Sequence, residues 1–238
     1  MSLISLKSAV AGYGGPPVLN GIDIAIDQND IGVVVGPNGA GKSTALKAIF
    51  GLIRVSAGSV SFDGTDITNR PAHELVAMGL SFVPQNQNVF GSLTVHENLE
   101  MGAFSRTDDF SESIASVYEI FPPLIERKRQ KTTELSGGLR QMVAIGRGLM
   151  SKPRLILLDE PSAGLSPRYT AEILERIIEI SANGVAVLMV EQNARQALEI
   201  ATKGFVLANG KNLFTGTGRE LIEDPEVARS FLGGWNPT

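Results

Sequence analysis

The stretch IGVVVGPNGAGKSTALKAIF, residues 31 to 50, leaves this chain few choices of fold. Its opening IGVVV is a continuous β-branched run, the mark of a strand buried on both faces inside a helix-covered parallel sheet. The run feeds GPNGAGKST, residues 36 to 44, which fits G-x-x-x-x-G-K-[ST] in the strand-then-helix context the motif requires. Gly36, Gly39 and Gly41 let the backbone curl until its amides face an anion, and the helix start adds positive potential. The whole loop, with Pro37, Asn38, Ala40 and Thr44, is expected to line a bound nucleotide. Lys42 would reach the outer phosphates, and the Ser43 hydroxyl would serve Mg²⁺.

A second strand with the same consequence is LILLDE, residues 155 to 160. Two carboxylates at the end of a buried strand are costly unless something uses them, and ligands of open α/β sheets bind at such ends. Asp159 suits a place near Mg²⁺, and Glu160 a place where it can polarise a water. LSGG, residues 135 to 138, opens a helix with serine and glycine, a natural anion site. Alone it is a weak signal, because Ser-Gly-Gly is common in loops.

Between these landmarks, short alternating runs (LISLKSAV, VLNGIDIAI) and hairpin turns at Asp63-Gly64 and Asn209-Gly210 predict antiparallel strands. From about residue 88 to 150 strand signals vanish, and TVHENLEMGAF, FSESIASVYEIF and GGLRQMVAIGRGLM carry helical spacing. The expected organisation is an α/β core with an antiparallel β subdomain, residues 1–87 and 151–238, and an all-helical insert, residues 88–150, ending in LSGG.

The chain has 238 residues, 43% hydrophobic and 19% charged, enough for one large domain or a core with a subdomain. A net charge of −4 provides no basic field, so nucleic acid is not an expected partner. There is no cysteine, which removes disulfides and thiolate metal sites. The opening MSLISLKSAV lacks the apolar core of a signal peptide. No apolar run approaches the roughly 20 residues of a membrane-spanning helix. The isolated chain is therefore expected to be soluble, with any membrane role reached through a partner. His73 and His96 lack companions for a metal site.

GPNGAGKST, Gln85 in FVPQ, LSGG, LILLDEPSAGL and the strand-end VEQ stand in the order found in ATP-binding cassette ATPases. The resemblance runs over essentially the whole chain, and five ordered motifs are specific. It implies a RecA-like phosphate-loop NTPase core that hydrolyses ATP with Mg²⁺. Tyr13 in AGYGGPP matches the aromatic on which the adenine stacks. Ser136, Gly137 and Gly138 would complete the nucleotide site of a second ATPase chain in a head-to-tail dimer, homomeric or with a different cassette chain. Gln85 would serve Mg²⁺ and catalysis and link the site to the helical insert, whose outer face would receive integral-membrane permease subunits. A solute-binding protein outside the membrane would act indirectly, and the chain would sit on the cytoplasmic face of the plasma (inner) membrane.

Three positions depart from the family pattern: Leu139 after LSGG, usually polar; Ser166, often aspartate; and Gln192, usually histidine. A glutamine amide can donate to a γ-phosphate oxygen or hold the attacking water, but it cannot become a cation. The alternative for the amide is a cap on the following helix, for which Asn193 is as good a candidate. VEQNARQAL, EPSAGLSP, FDGTDIT, FVPQNQNVFGSLTVHENL and the ending FLGG together resemble the ATPases of bacterial branched-chain amino-acid importers. Relatives that move urea or short amides, or export lipopolysaccharide, are the nearest alternatives. The soluble cassette proteins of DNA repair fit poorly, because only about fifty residues separate Gln85 from Ser136 and no zinc-binding cysteine exists. Those acting on ribosomes carry two cassettes in one chain. A GTPase would need an [NT]-K-x-D base-reading motif, which is missing.

Overall fold

The computed structural model describes residues 2–231, so Leu232, Gly233 and Gly234 of the FLGG ending lie outside the described residues. Two sheets form the frame. Strands β1 (Ile4–Ala11), β2 (Leu19–Ile26), β4 (Val55–Phe62) and β5 (Thr65–Asp66) make an antiparallel sheet in the order β2-β1-β4-β5. Strands β3 (Ile31–Val35), β6 (Leu80–Val83), β7 (Leu155–Asp159), β8 (Ala186–Val190), β9 (Lys203–Ala208) and β10 (Lys211–Gly216) form the second, ordered β10-β9-β3-β8-β7-β6. All its pairings are parallel except the β9–β10 hairpin on Asn209-Gly210. The fold is the expected mixed α/β one, with an antiparallel sheet, a parallel sheet and helices.

The continuous apolar runs of β3, β7 and β8 have a direct packing reason. Successive side chains of a strand point to opposite faces, and both faces are covered here. Val33, Val35, Ile156, Leu158, Val187 and Met189 enter one buried cluster. Val34, Leu155, Leu157, Leu188 and Val190 enter the other, with residues of the antiparallel sheet and of helix α1 (Lys42–Ile49). Gly32 lets the layers close: a Cβ there would lie 2.6 Å from Ile26 Cγ2 and 2.9 Å from Leu188 Cδ1.

Helix α2 (Ala72–Ala77) follows Pro71 and precedes β6. Helices α3 (Val95–Gly102), α4 (Ser111–Ile120) and α5 (Gly137–Leu149) then run through the segment without strands. They share the first cluster with the parallel sheet through Leu99, Val117, Met142 and Val143. A capping box of Thr94 and Glu97 starts α3. The fully buried Asn98 donates to the carbonyls of Phe90, Leu93 and Thr94 and accepts from the Phe90 amide at 2.8 Å. That side chain ties the loop after β6 to α3. Asn88 in turn donates to Gln141 of α5 at 3.0 Å, so one loop holds both helices. Helices α6 (Pro167–Ala182), α7 (Ala194–Glu199), α8 (Gly218–Glu223) and α9 (Pro225–Phe231) complete the described chain.

Candidate nucleotide site

The register of the parallel sheet assembles the site. Val34 lies opposite Val190, Asp159 opposite Val190, and Leu158 opposite Val83. The C-terminal ends of β3, β8, β7 and β6 are therefore level, and the loops leaving them start from one edge. Each loop carries, within its first two residues, one that sequence reasoning singled out: Gly36, Gln192, Glu160 and Gln85.

In the loop after β3, Gly36, Gly39 and Gly41 all have φ in the left-handed range, at 150°, 82° and 100°. Side-chain-bearing residues rarely adopt these values. A Cβ on Gly36 would sit 2.1 Å from the Leu207 carbonyl oxygen, whereas nothing lies within 4 Å of one on Gly39. The loop is thus pressed against β9 at its start and open in its middle. Lys42 is 6% exposed, and its Nζ donates to the carbonyls of Gly36 at 2.9 Å and Pro37 at 3.2 Å. Among the described residues this buried ammonium rests on neutral carbonyls and forms no ion pair, which suits an incoming phosphate.

Ser43 donates its hydroxyl to Asp159 Oδ1 at 2.6 Å. A hydroxyl beside a buried carboxylate is a hard-oxygen donor set, the kind Mg²⁺ takes. On the next residue of the same strand end, Glu160 has φ 49°. Left-handed backbone on a non-glycine residue costs of order 1–3 kcal/mol and persists only where its surroundings impose it. Here the Glu160 amide donates to Val190 O at 3.0 Å, and Gln85 Nε2 donates to Glu160 Oε2 at 2.7 Å.

Gln192 follows β8 and lines a cavity of about 220 Å³ with Gly36, Pro37, Asn38, Ala194, Ser230 and Phe231. Helix α7 has no side-chain cap: Asn193 is its first flanking residue, and its amide donates to Gln196 at 2.7 Å instead. Among the described residues no hydrogen bond engages the Gln192 side chain, which is exposed beside the loop.

Ser136, Gly137 and Gly138 have other surroundings. Ser136 caps α5, accepting from the Leu139 amide at 3.4 Å, and its hydroxyl lies 3.5 Å from the Tyr169 hydroxyl. Gly138 is pressed on the Tyr169 ring, which a Cβ would meet at 2.3 Å. Ser136 and Gly137 are exposed, and the contacts of this turn are with α6 and the residues leading into it. Leu139, where the family is usually polar, is buried in the core. Ser166 flanks α6 exposed and makes no capping bond. Tyr13 is 64% exposed, with Lys47 Nζ 6.0 Å from its ring centre. His96 lies against Tyr118 and Glu100.

Two side chains at the site escaped the sequence reading. Tyr169 carries no sequence signal, since it lies on an ordinary helical face. Glu191 did carry one: a carboxylate closing an apolar run, as in LILLDE. Its carboxyl is 2% exposed and accepts from Ser162 and Gln192.

The chain is similar to several known proteins over most of its length. The family model described as ABC transporter matches residues 19–163. The high-affinity branched-chain amino acid transport ATP-binding protein BraG of Pseudomonas aeruginosa is 40% identical over 233 residues, covering 98% of this chain and all of that one. The lipopolysaccharide export system ATP-binding protein LptB of Haemophilus influenzae is 33% identical over 239 residues, covering 98% of each chain. A crystal structure of the ADP conformation of an ATP-binding cassette superposes with a TM-score of 0.86 at 28% identity, over 98% of this chain and 99% of that one.

Proposed function

The chain belongs to the ATP-binding cassette transporter family, and from that premise we propose that its ATP hydrolysis drives uptake of branched-chain amino acids through separate membrane subunits. The observation that carries this reading is the level edge of β3, β8, β7 and β6, from which Lys42, the Ser43–Asp159 pair, Gln192 and the Glu160–Gln85 pair all emerge. The 40% identity to a branched-chain amino-acid transport ATPase, against 33% to a lipopolysaccharide export ATPase, favours the solute.

The residues divide the work by chemistry. Lys42 exchanges the Gly36 and Pro37 carbonyls for outer phosphate oxygens, and the free backbone N–H groups of the loop and of the start of α1 face the phosphates. Ser43 and Asp159 hold Mg²⁺, with the Gln85 side-chain oxygen as a further donor. When bound, the ion neutralises charge on the outer phosphates. Glu160 accepts the proton of the attacking water, and the Gln85 amide now on its carboxylate must give that water room. Gln192 donates to a γ-phosphate oxygen or to the water. Tyr13 stacks on the adenine.

Ser136, Gly137 and Gly138, at the exposed start of α5, serve the nucleotide of a second chain, either another copy or a different cassette ATPase. Residues 88–150 act as a helical subdomain between residues 1–87 and 151–238. Its surface carries exposed apolar side chains among charged ones: Phe104 is 84% exposed, Met101 and Phe90 are also exposed, and Arg147 lies over the Phe90 ring at 4.9 Å. A membrane subunit covering these residues would hold the chain on the cytoplasmic face of the plasma membrane. No helix among the described residues is long and apolar enough to cross one. A solute-binding protein acts on the far side, through that subunit.

Deleting the gene is expected to abolish uptake of labelled leucine, isoleucine and valine, with recovery on re-expression. Unchanged uptake would remove the solute and leave the ATPase. Gln192→Ala should lower turnover by on the order of 10²–10³, the usual consequence of losing one preorganised donor beside developing charge. ATP binding falls far less, because the phosphate loop remains. Gln192→His keeps measurable activity and adds a rate dependence on pH near the histidine range. Near-normal turnover in a Gln192→Ala protein would remove this residue from catalysis.

A further inference from the structure

We propose that Glu191 is a positioning residue that locks the turn after β7 to the turn after β8, so that Glu160 and Gln192 face one water together. The inference rests on the roles given to those two residues above. Strands β7 and β8 are parallel with Asp159 level with Val190, so the residues after them leave the sheet side by side. The Glu191 amide donates to Val34 O at 3.2 Å, which fixes its backbone to the strand that leads into the phosphate loop. Its carboxylate then bridges the two turns. Oε1 accepts from the Ser162 amide at 2.9 Å, while Oε2 accepts from the Ser162 hydroxyl at 2.9 Å and the Gln192 amide at 3.2 Å.

A carboxyl 2% exposed is a poor way to fill space. Burial pushes it above the usual carboxylate range, and the neighbouring Glu160 charge acts in the same direction. An apolar side chain of similar volume would avoid this desolvation cost. What an apolar side chain cannot do is accept three donors from two separate loops. The bridge also explains how Glu160 keeps φ 49°, since Ser162 two residues later is anchored from the opposite strand.

The test compares Glu191→Gln, Ser162→Ala and the double variant, with Lys42→Ala as reference, in the full chain assembled with its membrane subunits. MgATP affinity, kcat, KM and melting temperature are measured for each. In Glu191→Gln one carboxylate oxygen becomes an NH₂ that opposes a backbone N–H, that of Gln192 or that of Ser162 according to the amide's orientation, so one of the two turns must shift relative to the other. A displacement on the ångström scale costs up to about 10²-fold, so kcat should fall roughly 10- to 100-fold, with MgATP affinity changing less than about twofold. Ser162→Ala should lower kcat by a smaller factor, and the double variant should lose less than the product of the two single losses. Full kcat in Glu191→Gln, at any melting temperature, or independent losses in the double variant, would overturn the proposal. Should Glu191→Gln fail to fold, Ser162→Ala decides alone: an unchanged kcat overturns it. Hydrolysis surviving in Lys42→Ala would instead overturn the assignment of the site itself, and the two failures are thereby separated.

Discussion

Lys42→Ala is expected to abolish ATP hydrolysis while the protein stays folded. The ammonium is 6% exposed and is held by two loop carbonyls, at 2.9 Å and 3.2 Å, on the inner side of the phosphate loop. Truncating one partner of a buried charged hydrogen-bonded pair costs about 2–5 kcal/mol. With phosphate as the partner, that loss falls on binding and on the transition state together, and turnover drops by on the order of 10² or more. The loop should survive the loss of the ammonium's bonds to the Gly36 and Pro37 carbonyls, because the positive φ of Gly36, Gly39 and Gly41 and the packing of Gly36 against Leu207 remain. Titration with a fluorescent ATP analogue, together with phosphate release, checks both halves. Hydrolysis at the unmodified rate would remove the nucleotide reading of GPNGAGKST. Loss of the melting transition would mean that Lys42 is needed for the fold.

Glu160→Gln is expected to bind MgATP with nearly unchanged affinity and scarcely turn it over. The amide cannot take a proton from the attacking water, and losing a positioned base costs about 10²–10⁴ in rate. The substitution also perturbs little else. Gln85 Nε2 now donates to Glu160 Oε2 at 2.7 Å, and a glutamine carbonyl can accept the same bond. The backbone bond from Glu160 to Val190 and the anchoring of Ser162 by Glu191, which together hold the φ of 49°, are independent of the Glu160 side chain. A protein that binds ATP without consuming it should accumulate with its exposed Ser136 turn engaged by a second chain. Size-exclusion chromatography in MgATP should therefore show a dimer that disappears when ATP is withdrawn. If the chain works only beside a different cassette ATPase, the dimer appears on adding that chain. Sustained turnover would show that another group removes the proton.

Much of this protein is determined over short stretches of sequence, and those parts were legible. The five-residue run before Gly36, the glycines at positive φ, the two hairpin turns and the helical spacing after residue 88 each depend on neighbours a few positions away. Periodicity, turn chemistry and backbone sterics act at that range, so the fold class, the glycine-rich turn between β3 and α1 and the carboxylates at the end of β7 could be read directly. The pairings that join distant positions could not. Gln85 and Glu160, Ser43 and Asp159, and Glu191 and Ser162 lie 75, 116 and 29 residues apart and meet only because β6, β7, β8 and β3 are level in one sheet. A buried β-branched run states that it belongs inside a parallel sheet, not which strand lies beside it or in what register. That order follows from which crossovers cover both faces of the sheet, a property of the whole chain. For the same reason Glu191 resembled any acid at a strand end until the structure set it between two turns. Tyr169 likewise gained its place against Gly138 only from the crossing of α5 and α6.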